Sequence, residues 1–185
     1  MMNIRSHGRK KAAGLMATFL LAFGMACQAE PDAGQKNTAS RWASLPVLDF
    51  RDTISGDPLD FNGLVDYDDQ PEVETDAVKE FKRTGRNPYN DDAAAIKFGG
   101  VRYSTACSGC HGHHAEGKLG PALADDYWTY PKNATDKGLF ETIFGGAAGQ
   151  MGPQRNRLTQ DEILKIMSWT RSIYSGDPAR AEWKQ

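Results

Sequence analysis

Apolar and polar positions fall into distinct regimes along the chain. Arg5, Arg9, Lys10 and Lys11 precede an uncharged apolar run from Ala12 to Ala26. A basic start followed by a short apolar run is the layout of a secretory signal peptide, and this run is too short to span a membrane comfortably. Cys27-Gln28-Ala29 offers small residues for cleavage after Ala29, so the leader is placed at residues 1–29 and the mature chain is expected to be exported to the periplasm. Gly24-Met25-Ala26 before Cys27 also admits a lipid anchor at Cys27, the less favoured alternative. Residues 30–46 begin with a stretch of Pro, Asp, Gly, Gln, Asn, Thr and Ser, and are expected to be flexible. A single domain is expected over 47–185.

Within that domain, Val47, Leu48, Phe50 and Ile54 lead into Ser55-Gly56-Asp57-Pro58 and then Leu59 and Phe61, which predicts two short extended stretches around a turn. Asp66, Asp68, Asp69, Glu72, Glu74 and Asp76 form an acidic run, expected to be a solvated loop; calcium ligation is a minor alternative, since no calcium-loop motif is present. Helical spacing governs the rest, so the fold class expected is all-α. Thr75 is placed as the cap of a helix carrying Val78 and Phe81 that stops at Gly85. Asp91 and Asp92 favour the start of a second helix, which contains Gly99-Gly100. Glycine is poor in helices, so the pair predicts a close helix crossing. Asp136 to Phe144 reads as a third, closed by Gly145-Gly146. Thr159-Gln160-Asp161-Glu162 is a capping box that opens the last helix, with Ile163, Ile166, Met167, Thr170, Ile173 and Tyr174 on one face and Gly176 as its expected stop.

Loss of a 1–29 leader would leave about 155 residues, enough for one modest core. It would also take the formal charge from −2 to −6. An acidic mature chain argues against nucleic acid as a partner and leaves room for a protein partner with a basic patch.

Three cysteines are present, and two of them stand in Cys107-Ser108-Gly109-Cys110-His111. Two thiols three apart can add to the two vinyl groups of a porphyrin, and the following imidazole is then carried under the ring to the iron. Covalent haem c, one per chain, is therefore the expected cofactor. Zinc is the rival, because Cys-x-x-Cys is also a zinc half-site and His113 and His114 follow closely. No downstream cysteine supplies the other half, and the histidines lie too close behind Cys110. For the sixth iron ligand the candidates are Met151, Met167, His113 and His114. Met167 belongs to the apolar stripe of the last helix. His113 and His114 follow His111 too closely to reach the other face of the ring. Met151 lies in Gly149-Gln150-Met151-Gly152-Pro153, forty residues beyond His111, far enough for the chain to wrap round and return. It is the preferred ligand, with an open or His-ligated site as the alternative. Gly120-Pro121 stands where a backbone carbonyl can accept the Nδ1 proton of His111, or else is an ordinary turn. Tyr127, Trp128 and Tyr130 are candidates for the haem pocket or for plain core.

Together, Cys107 to Pro121, Asp125 to Asn133, Lys137 to Gly146, Gly149 to Pro153 and Ser168 to Tyr174 resemble the cytochrome cL family. Gly56 to Phe61 and Gly85 to Asn90 extend the likeness more loosely. The resemblance implies a class I cytochrome c fold, attachment through Cys107 and Cys110, and His111 and Met151 as axial ligands. It also implies an electron carrier, not an enzyme. It would take single electrons from a pyrroloquinoline quinone (PQQ) methanol dehydrogenase, of calcium or lanthanide type, and pass them to another c-type cytochrome. A related branch accepts electrons from amicyanin in methylamine oxidation; Gln150 and Gly176-Asp177-Pro178 are similar to it, whereas Lys118 to Asp126 leans toward the methanol branch. A haem sensor or peroxidase-like protein with an open sixth site is the alternative from a different functional class.

Overall fold

The computed structural model describes residues 41–184, so the expected leader, its cleavage site and the possible anchor at Cys27 lie outside the described residues. The α-helices that lie wholly within the described residues are α1 (Asp76–Thr84), α2 (Ala93–Ala106), α3 (Ser108–His111), α4 (Asp136–Gly145) and α5 (Gln160–Ser172). Short 3-10 turns lie at Pro131–Ala134, Pro178–Arg180 and Glu182–Lys184. Among the described residues there is no strand, only isolated bridges such as Arg51 with Pro58, which brackets the turn expected at Ser55-Gly56. No described helix is long and apolar enough to cross a membrane.

The helix ends follow from side-chain chemistry. The Thr75 hydroxyl accepts from the Val78 N–H, and Gly85 closes α1 in the left-handed region at φ 70°. Asp92 accepts from the Ala94 and Ala95 N–H groups to start α2. Thr159 and Glu162 form the reciprocal capping box of α5. That helix stops sooner than its apolar spacing suggests. Ile173 is its C-cap, and Tyr174 lies outside it, because Ser175 turns away to donate its N–H to the Ala124 carbonyl at 2.7 Å. The expectation that Gly176 ends the helix is corrected accordingly.

The acidic run is corrected too, since only part of it is solvated loop. Glu72 accepts from the backbone and side-chain N–H groups of Gln160 at 2.7 and 3.1 Å, and Glu74 pairs with Lys82. Glu72 sits against the positive end of α5, yet burial outweighs those bonds and pushes its carboxyl above the ordinary value. Among the described residues, no group of three or more His, Cys, Asp or Glu side chains is gathered as metal ligands would be.

Two packing centres hold the helices. The first is a ring cluster in which Phe140 of α4 lies 4.9 Å from Phe81 of α1 and 5.8 Å from Phe50 of the extended segment. Phe61 meets Phe144 at 5.0 Å. Phe81, Phe140 and Phe144 are fully buried, and rings at these separations gain about 0.5–1.5 kcal/mol per pair beyond area burial. The second centre is the crossing of α2 on α5. A Cβ at Gly99 would collide with the Lys165 carbonyl, and one at Gly100 would lie 2.7 Å from the Trp169 ring. Gly99 therefore lets the backbones touch, Gly100 leaves room for the indole, and one turn later the Tyr103 ring lies tilted against Trp169, centroids 4.3 Å apart. Met167 is fully buried in this core.

Beneath α4 lies a buried ion pair. Arg171 approaches Asp136 at 3.4 Å with both side chains 2% exposed, and donates to the Asn133 and Thr135 carbonyls. Asp136 also accepts from the Asn87 N–H and the Asn90 amide. Burial pushes the aspartate up and the guanidinium down to about 10, each against the pull of its partner.

Candidate functional site

The end of α2 builds the site. Cys107 caps α2 and opens the single turn of α3, so that Cys107, Cys110 and His111 follow one another round one helical turn. Cys110 and His111 both direct their N–H groups to the Cys107 carbonyl. The two thiols form no disulfide; Cys107 is half-buried and Cys110 exposed. Burial, followed by the neighbouring Cys110, pushes the Cys107 thiol up to about 11. Gly112 ends the turn at φ 83°, where a side chain would be strained and would also strike the Glu116 carboxylate. The buried Tyr103 hydroxyl donates to the Gly112 carbonyl at 2.9 Å, tying the motif to the α2–α5 crossing.

His111 is buried, and its Nδ1 donates to the Pro121 carbonyl at 2.9 Å. Of the two readings of Gly120-Pro121, the geometry selects the carbonyl acceptor. That bond fixes the tautomer and leaves Nε2 free to ligate. Gly120 lies flat on the imidazole, where a Cβ would come within 2.7 Å of Cε1. His113 and His114 are exposed loop residues, and His114 directs its backbone N–H to Glu116.

Met151 comes from the loop that follows α4. Gly146 opens this loop at φ 95°, and a Cβ there would meet the backbone of Met151 to Pro153 at 2.9–3.1 Å. The Ala147 N–H donates to the Met151 carbonyl at 2.8 Å, so the loop closes on itself with Met151 half-buried. Tyr130 braces it, its hydroxyl accepting from the Ala148 N–H at 3.0 Å. Sequence spacing missed this brace because the partners are eighteen residues apart in two irregular segments. Of the other aromatic candidates, Tyr127 is largely exposed and Trp128 packs against Arg171 and Trp183.

The donor set fits a c-type haem. It offers two unbridged thiols one turn apart, an imidazole with Nε2 free, and a glycine that keeps the imidazole unobstructed from below. Residues 94–169 match the family model described as cytochrome c oxidase, cbb3-type, subunit III. The crystal structure of cytochrome cL from Methylophaga aminisulfidivorans is 60% identical, covers 74% of this chain and 87% of its own, and superposes with a TM-score of 0.68.

The chain belongs to the cytochrome cL family.

Cytochrome cL from Hyphomicrobium denitrificans is 49% identical over 75% of this chain and 80% of its own, again with a TM-score of 0.68. Cytochrome c-L of Methylorubrum extorquens AM1 is 51% identical over 134 residues, 72% of this chain; the match spans 66% of that protein's length. The fold is thus the class I cytochrome c fold, and the family is one of c-type haem electron carriers. In this chain α2 and α5 are the crossing helices, and the candidate site lies where α2 ends.

Proposed function

We propose that this protein is a periplasmic monohaem electron carrier that takes single electrons from a PQQ-dependent methanol dehydrogenase and hands them to another c-type cytochrome. The observation that carries this reading is the 60% identity to a cytochrome cL structure over most of both chains. The Cys107 to His111 turn supports it chemically. Cys107 and Cys110 would form the two thioether links to one haem. His111 and Met151 would be the axial ligands, and the bound haem would supply an iron that cycles between Fe(III) and Fe(II). The Pro121 carbonyl makes His111 a stronger donor, while a Met151 thioether raises the potential and closes the sixth position, which suits electron transfer over oxygen chemistry. Donor docking should be brief and small in area. Leu119, 77% exposed beside the haem segment, is an apolar contact suited to it.

Stopped-flow mixing tests the donor. The oxidised haem protein is expected to be reduced rapidly and saturably by methanol dehydrogenase with methanol, and slowly by reduced amicyanin. The reverse order would transfer it to methylamine oxidation, leaving the haem assignment standing. Met151→His tests the ligand: the potential should fall, and an unchanged potential would remove Met151 from the ligand set. Rapid carbon monoxide binding by the reduced protein would favour the open-site alternative instead.

A further inference from the structure

The loop that presents Met151 is nearly self-contained. Its Ala147 N–H turns back to the Met151 carbonyl at 2.8 Å, and the Gly152 N–H meets the Gln150 carbonyl at 3.1 Å. Ala148, Gly149, Gln150, Gly152 and Pro153 are exposed. Gly149 stands at φ 80° with open space where a Cβ would be. Among the described residues, one hydrogen bond ties residues 147–153 to another segment: the Ala148 N–H donates to the Tyr130 hydroxyl at 3.0 Å. A short exposed loop with so few fixed backbone groups opens locally at small cost.

Tyr130, by contrast, is firmly placed. It caps the 3-10 turn Pro131–Ala134, and its carbonyl accepts from the Asn133 N–H at 2.9 Å. Asn133 is buried. Its side chain meets the Thr142 hydroxyl of α4 at 2.7 Å, and its carbonyl accepts from the buried Arg171. Lys132 reaches Glu141 of α4 at 2.8 Å. Gly138 of α4 lies so close that a Cβ there would collide with the Lys132 carbonyl. The turn is thus locked to α4, the helix that runs into the Met151 loop. A phenol on a rigid turn holds the one outside tie of a lightly held loop.

We propose that Tyr130 is the latch of the Met151 loop: while its hydroxyl holds Ala148 the thioether stays on the iron, and its release lets a neutral nitrogen base of the imidazole class take the sixth position. This rests on the reading of Met151 as an axial ligand given above. Tyr130 is a positioning residue, acting through Ala148, three residues before Met151. The exchange is balanced without a redox step. The Fe–S bond breaks and the sulfur keeps the electron pair it had donated; the Fe–N bond forms with the pair of the incoming ring nitrogen. No proton moves, and the iron keeps its oxidation state. Because the base binds only the open form, its apparent affinity is its intrinsic affinity scaled by the open fraction. Loosening the latch therefore tightens the binding of the outside base.

The test titrates the full ferric haem protein with imidazole, following the sulfur-to-iron charge-transfer band that a thioether ligand gives. Tyr130→Phe keeps the ring and removes the acceptor. It should tighten imidazole binding roughly threefold to tenfold, the weight of one neutral hydrogen bond. Thr159→Ala, which weakens a helix cap elsewhere, should leave that affinity unchanged, which separates a lost latch from a general loss of stability. In the wild-type protein the Ala148 amide should exchange with solvent more slowly than an unstructured amide, and should lose this protection once imidazole saturates the iron. Protection of Ala148 that survives saturation would overturn the proposal without any variant. Equal imidazole affinity in wild-type and Tyr130→Phe proteins would overturn it as well, as would equal tightening by Thr159→Ala or a failure of imidazole to bind either protein. Absence of the charge-transfer band from the wild-type protein before any imidazole is added would instead remove Met151 from the ligand set, and this inference with it.

Discussion

At the scale of single residues, the imidazole and what touches it decide the chemistry. His111 is caught between a carbonyl that accepts its Nδ1 proton and a glycine that leaves it room. Gly120→Ala would set a methyl group 2.7 Å from Cε1 and 2.9 Å from Nδ1, displacing the ring from Pro121. In the proposed haem protein, loss of the Nδ1–H bond would make the imidazole a weaker donor to the iron and Fe(III) less favoured. The potential should rise, and stability should fall by about 1–3 kcal/mol from overpacking. Potentiometry and thermal unfolding together check this, and an unaltered potential would mean that the Pro121 bond does not tune the haem. Cys107, Cys110 and His111 stand out in the sequence because a short fixed spacing links them, whereas Met151, forty residues beyond His111, rests on its loop setting and on setting aside Met167, His113 and His114. The Pro121 carbonyl was only half legible, since any backbone carbonyl near that offset would serve. Tyr130 bracing Ala148 was not legible at all; hydrogen bonds between two irregular segments leave no period to read.

At the scale of elements, capping and periodicity made the starts of α1, α2, α4 and α5 readable, because caps such as Thr75, Asp92 and Thr159 act on N–H groups two or three positions away. The end of α5 was misjudged because its stop is tertiary: Ser175 bonds to Ala124 fifty-one residues back. Glu72 escaped for the same reason, since its partner Gln160 is eighty-eight residues on. The glycine pair in α2 did foretell the crossing. Gly99→Ala should therefore be severe, because the added Cβ meets backbone rather than a movable side chain. A loss of about 3 kcal/mol or more is expected, with α2 and α5 pushed apart. Thr159→Ala removes one cap and should cost about 1 kcal/mol. Denaturant unfolding of both variants checks the order, and a Gly99→Ala loss no larger than the Thr159→Ala loss would contradict a backbone-tight crossing.

At the scale of the whole molecule, a few buried and half-buried carboxylates tie separate segments to the helices, and they make stability depend on pH. Glu141 is the clearest. Burial pushes its carboxyl up, but hydrogen bonds from Lys132, Lys137 and the Arg51 N–H outweigh this and leave it below the ordinary glutamate value. Asp161 behaves alike, with burial outweighed by bonds from Lys165, Tyr89 and Thr75. A carboxylate whose folded pKa is depressed binds fewer protons folded than unfolded. Its contribution is complete above the unfolded pKa and disappears as pH falls through the folded one. Glu72 and Asp136, raised by burial, run the other way and lessen the loss in acid. Glu141→Gln keeps the shape but removes the charge that Lys132 and Lys137 share. Near pH 7 it should cost about 1–3 kcal/mol. That cost should shrink steadily as acidification from pH 7 takes the wild-type Glu141 through its depressed folded pKa to the neutral form. Denaturant midpoints measured across this range for both proteins check the expectation. A stability difference that stays constant with pH would show that Glu141 holds the segment by shape alone, with its charge contributing nothing.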